Sequence, residues 1–134
     1  FFRGLILYLL FSVWGNTTRG LIACAVVTSL LFAIPHLLQA FSLDISSLLL
    51  LILETVIISF WWGALVLSGE SIWPVVVFHF INNAVFGIQG LSQPIIEPAY
   101  LAYGKLFLFS LPLCALGIGL IIWAGKNRKT GYSN

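Results

Sequence analysis

The sequence predicts an all-α fold: a polytopic transmembrane helix bundle with about four full spans and a partial first helix. Three observations carry that reading. Of 134 residues, 60% are hydrophobic and only 7% are charged, whereas a soluble domain is about a quarter charged. Long stretches carry no charge at all, between Arg19 and Asp44, between Glu70 and Glu97, and between Lys105 and Lys126. Each is as long as the roughly 20 apolar residues a helix needs to cross a bilayer core. Finally, the strict apolar–polar alternation of a β-barrel is absent, so the backbone must satisfy its hydrogen bonds within helices. Disorder is excluded by the same composition. No basic patch of nucleic-acid type exists, because the net charge of +2 comes largely from Lys126, Arg128 and Lys129.

The expected spans are residues 1–14, 20–41, 46–68, 71–90 and 101–125. The first reads as the second part of a helix begun upstream. The chain holds no Met and starts Phe1-Phe2-Arg3-Gly4, so it is expected to be the C-terminal part of a longer protein. Residues 1–134 form one membrane-embedded domain in this reading, without a signal-peptide pattern. Gly15–Thr18 and Ser42–Asp44 are the first two loops. Ser68–Ser71 is the third, with Ser71 a candidate cap for the helix entering Trp73-Pro74. Gly90–Pro98 is a longer loop. Lys126, Arg128 and Lys129 place the C-terminus in the cytoplasm, and strict alternation then puts the Arg19 loop on the same side. Cys24 and Cys114 lie deep in apolar runs with no disulfide or zinc-ribbon spacing, and read as small buried apolar residues.

A polar side chain near the middle of a span is costly, so it faces the bundle interior and has a partner or a task. Arg3, His36, Glu54, His79, Asn82 and Asn83 are the candidates. Phe32 and His36 are four apart and share a helix face, and Pro35 removes a backbone donor beside the imidazole. His79 and Asn83 stack at i and i+4, joining a ring that can exchange a proton to a carboxamide that can donate two hydrogen bonds. The plainer reading is that these residues hydrogen-bond one helix to another. Glu54 reads as a partner for Arg3 or a nearby hydroxyl. A bis-histidine haem or quinone protein with His36 and His79 as ligands is the main alternative from the residues alone.

Phe2-Arg3-Gly4, then Phe32 with His36, then Trp73, His79 and Asn83 together resemble the CPBP family of intramembrane proteases. These are the CAAX prenyl endopeptidases and their bacterial relatives, also called the Abi family. The likeness spans residues 1 to about 87 and includes Gly63–Trp73. It implies an intramembrane endopeptidase, with Arg3 the arginine of the family's Glu-Glu-x-x-x-Arg motif and both glutamates upstream of Phe1. The second glutamate would pair with Arg3, four residues on. The first would act with His36 to activate a water, while His79 and Asn83 stabilise the oxyanion. Without those carboxylates the chain as given is expected to be inactive. Family members are also described as metalloproteases; on that reading His36 and His79 would be zinc ligands, although no His-Glu-x-x-His helix is present. The implied partners are membrane lipid and a peptide substrate, a prenylated CAAX tail or a bacteriocin leader. A non-enzymatic immunity or helper protein of the same fold is the remaining alternative.

Overall fold

The computed structural model describes residues 2–15, 17–41, 43–92, 103–104 and 106–130. They form helix α1 (Phe2–Trp14), α2 (Thr18–Ala33), a 3₁₀ helix (Ile34–Phe41), α3 (Ile45–Gly69), α4 (Trp73–Ser92), a π turn (Leu106–Ser110) and α5 (Leu111–Thr130). Among the described residues there are no strands. Thr18–Leu38, Ile45–Gly69 and Leu106–Arg128 are long and apolar enough to cross a membrane, and Gly4–Trp14 is a shorter apolar helix. The chain is therefore an all-α bundle of membrane-spanning helices. The helix Trp73–Ser92 has 20 residues but breaks its apolar run with His79, Asn82, Asn83 and Gln89.

Local chemistry sets the helix ends. The Thr17 hydroxyl accepts the Gly20 N–H at 3.0 Å and its carbonyl accepts the Leu21 N–H at 2.9 Å, which starts α2. Pro35 has no N–H to give to the preceding turn. The sequence expects a kink there; the structure instead converts the helix to a 3₁₀ spiral from Ile34 onward. Asp44 caps α3, accepting the N–H groups of Ser46 at 3.0 Å and Ser47 at 3.1 Å and the hydroxyls of both serines. Glu70 closes α3 in the left-handed region with φ 53°. Ser71 does not cap α4: the Val76 N–H goes to the Ile72 carbonyl at 3.0 Å, which makes Ile72 the cap and Pro74 the second helical residue. The Gly90–Pro98 loop falls mostly outside the described residues, with α4 helical to Ser92.

The helix α3 is central, packed against both α2 and α5, which also touch each other, with α1 on α2. Lipid tails are as apolar as a leucine, so burial alone does not drive spans together; close van der Waals packing does. Small residues permit it. Cys24, Ala25 and Ala64 have no exposed surface, and Ala124 has almost none. A Cβ on Gly117 would stand 3.2 Å from Phe60 and 3.3 Å from Ala64, and one on Gly125 would strike Thr18. The buried hydroxyls of Thr28 and Ser29 turn inward to their own helix: Thr28 donates to the Cys24 carbonyl at 2.7 Å and Ser29 to that of Ala25 at 2.6 Å.

One end of the bundle is tied by Arg128. Its Nη2 donates to the Leu67 carbonyl at 2.6 Å and lies 3.1 Å from Glu70 Oε1. Its guanidinium carbon sits 5.1 Å from the centre of the Phe11 ring, so α1, α3 and α5 meet there. A cation at the carbonyl end of α3 also suits that helix's dipole. The helix α5 continues to Thr130, past residue 125 where the sequence reading ends the span. The clamp places the Thr17–Thr18 turn, Glu70 and the end of α5 on one face, as alternation requires.

Two outcomes follow. Gly125→Leu should push α5 off Thr18 and cost about 1–3 kcal/mol of stability, seen as earlier thermal unfolding in detergent; an unchanged transition contradicts the packing. Hydrogen bonds from the Ser46 and Ser47 hydroxyls, then from the Ser47 N–H, hold the Asp44 carboxyl far below the usual carboxylate range. Its folded value is depressed, so the cap's contribution is complete above about pH 4 and is lost as pH falls through the folded value. Exchange of the Ser46 and Ser47 amides should accelerate only in strong acid, and Asp44→Asn should remove that dependence.

Candidate functional site

The helix α4 turns one face inward. Ile72, Val75, Val76, His79, Phe80 and Asn83 follow helical spacing and line a cavity of about 380 Å³. Its other walls are Gly4 and Leu7 of α1, Phe32 of α2, and Trp62 and Val66 of α3. Gly4 is required for closure, since a Cβ there would collide with the Ile72 side chain. Trp62 lies eight residues before Glu70, about 12 Å of helix rise, so the cavity sits well inside α3's span.

His79 is held on three sides. Its ring meets Trp62 edge to face at 5.0 Å between centroids and 87° between planes. Phe32 meets it at 6.0 Å and 76°. Each such pair contributes about 0.5–1.5 kcal/mol beyond area burial and fixes the plane of the imidazole. The Asn83 carboxamide nitrogen is 3.2 Å from His79 Nε2. An amide nitrogen can only donate, so Nε2 accepts and the ring's own N–H is at Nδ1. The pair's other donors are His79 Nδ1–H and the second Asn83 N–H, on side chains that both line the cavity.

The other expected site residues are placed less directly. His36 lies on the 3₁₀ helix with its ring centroid 6.1 Å from Phe32. It is not one of the cavity-lining residues and meets the cavity through Phe32, which contacts both imidazoles and keeps them within about 12 Å of each other. Arg3 is in the first turn of α1, one residue before cavity-lining Gly4; its side chain and that of Asn82 are outside the described residues. Glu54 is partly buried on α3, eight residues before Trp62, and is not among the lining residues.

The sequence does not single out Trp62, because one ring in the run Phe60-Trp61-Trp62 looks like any other until α4 lies beside it. Nor does it give Glu70 any role, or Arg128 one beyond the terminal basic cluster. No three His, Cys, Asp or Glu side chains come together among the described residues, and His79 Nε2 already faces Asn83. The described donors do not make up a zinc set, and no step is assigned to a metal.

If Asn83 donates as placed, 15N-labelled His79 should show an acceptor-type Nε2 and a protonated Nδ1 by NMR, and Asn83→Ala should let the two tautomers mix. A protonated Nε2 in the unaltered chain contradicts the assignment.

Comparison with known proteins gives one result. A family described as type II CAAX prenyl endopeptidase, Rce1-like, matches residues 1–85. No curated protein and no solved structure gives a significant match. The matched segment runs from α1 through Asn83 of α4 and so contains every residue that lines the cavity. The chain belongs to the Rce1-like family of type II CAAX prenyl endopeptidases.

Proposed function

We propose that this chain carries the substrate-facing part of an intramembrane endopeptidase site that hydrolyses a peptide bond in a prenylated CAAX tail. One observation supports it above the others: His79 and Asn83 are hydrogen-bonded to each other and both line the cavity. An amide resists water at neutral pH because the attack places charge on the carbonyl oxygen. Fixed donors in a water-poor cavity stabilise that oxyanion far better than bulk solvent does. Trp62 and Phe32 hold the imidazole in plane, so little reorganisation is needed when charge develops.

In this reading a glutamate of the family's Glu-Glu-x-x-x-Arg motif takes the proton of the attacking water, with His36 beside it and Arg3 balancing the motif's second carboxylate. The donors then stabilise the tetrahedral oxyanion until the leaving amine is protonated and departs. Asn83 is what favours hydrolysis over haem ligation, since its carboxamide occupies His79 Nε2, an atom an axial ligand would give to iron. A basic end at Lys126, Arg128 and Lys129 supports a cytoplasmic C-terminus, the side from which a prenylated cytosolic protein would approach.

In a protein bearing the complete motif, reconstituted in lipid, His79→Ala and Asn83→Ala should each lower kcat for a farnesylated CAAX peptide by about 10²–10³-fold, with earlier thermal unfolding for His79→Ala, which loses its two ring contacts, and unchanged unfolding for Asn83→Ala. Activity surviving both changes overturns the reading. Activity lost to a chelator and restored by zinc would move His79 from oxyanion donor to metal ligand.

A further inference from the structure

We infer that Arg128 is the anchor for the C-terminal carboxylate of the bound peptide, a subsite distinct from the hydrolytic pair; this rests on the endopeptidase reading above. A second cavity of about 650 Å³ adjoins the first, with Gly4, Leu7, Val66 and Ile72 common to both linings. Arg128 and Glu70 line its far part.

The guanidinium there has capacity to spare. Nη2 serves the Leu67 carbonyl and Glu70, whereas Nη1 is buried and has no hydrogen-bond partner among the described residues. A buried donor left unmade is costly. The Arg128 side chain is 17% exposed and that of Glu70 is 74% exposed, so Glu70 is the mobile half of the pair. It occupies Nη2 with one oxygen, as a placeholder. A peptide carboxylate reaching that cavity displaces it from Nη2, and a turn of the guanidinium then brings Nη1 to the second oxygen, the two-pronged geometry that makes arginine–carboxylate pairs strong.

The spacing fits a CAAX tail. Such a tail ends three residues beyond its prenylated cysteine, an extended reach of about 10 Å. Along α3, Trp62 marks His79 and Leu67 to Glu70 mark Arg128. Those positions are five to eight residues apart, about 8–12 Å of rise. A cysteine held at His79 and Asn83 therefore brings the terminal carboxylate to the guanidinium.

The test compares binding of a farnesylated tetrapeptide having a free C-terminal carboxylate with that of the same peptide as its C-terminal amide, to the chain in lipid nanodiscs. The acid should bind about tenfold tighter than the amide. Arg128→Gln should bring that ratio close to one with amide binding unchanged. Glu70→Gln, which leaves the bundle's packing untouched, should tighten acid binding at least threefold and decides the matter if Arg128→Gln fails to fold. Equal binding of acid and amide, a preference that survives Arg128→Gln, or no response to Glu70→Gln overturns the proposal. Cleavage followed on the same peptides with the complete motif separates the two readings. Acid preference without cleavage keeps the subsite and removes the hydrolase; cleavage without acid preference does the reverse.

Discussion

Lipid offers no hydrogen bonds, and that constraint organises this molecule. Every polar group placed at depth must be answered from within the protein. Thr28 and Ser29 are answered by carbonyls one turn back, Ser68 by that of Ala64 at 2.7 Å, and His79 by Asn83. The same constraint explains why small residues stand among the large ones at the contacts of α3. Since lipid and leucine are equivalent surroundings, only close approach favours association, and Cys24, Ala25, Ala64 and Gly117 allow it.

Against that economy, α4 stands out. Its inward face carries a ring and a carboxamide into a cavity rather than into a packed seam. The two are bonded to each other on one helix, at i and i+4, and both side chains line the cavity. Trp62 and Phe32 supply rigidity from two other helices. The α1 contribution is a gap: Gly4 lets Ile72 come close enough to close one wall.

Much of this was legible in the sequence because lipid imposes a simple code. Charge-free runs located the helices, and i,i+4 spacing paired His79 with Asn83 before any coordinates. Boundaries that depend on tertiary contact were not legible. Arg128 reaches a carbonyl 61 residues away, a contact that no local pattern encodes. Pro35 announced a disruption but not its form, since a missing donor is equally served by a kink or by tightening to 3₁₀ geometry. Ser71 looked like a cap by residue type, yet the chain enters α4 one residue later. Trp62 escaped notice because its role exists only once α4 is docked, and the convergence of His36 on the cavity runs through Phe32 rather than directly.

The account's central claim is spatial: one face of α4 borders a water-reachable cavity inside the bilayer while its opposite face meets lipid. Cysteines introduced singly at Val76, His79, Asn83, Val77 and Ile81, with Cys114 replaced by Ala, can be probed in proteoliposomes with a membrane-impermeant thiol reagent. The account predicts labelling at positions 76, 79 and 83, protected by a farnesylated peptide, and none at 77 or 81. Uniform labelling, or silence at 79 and 83, would contradict it.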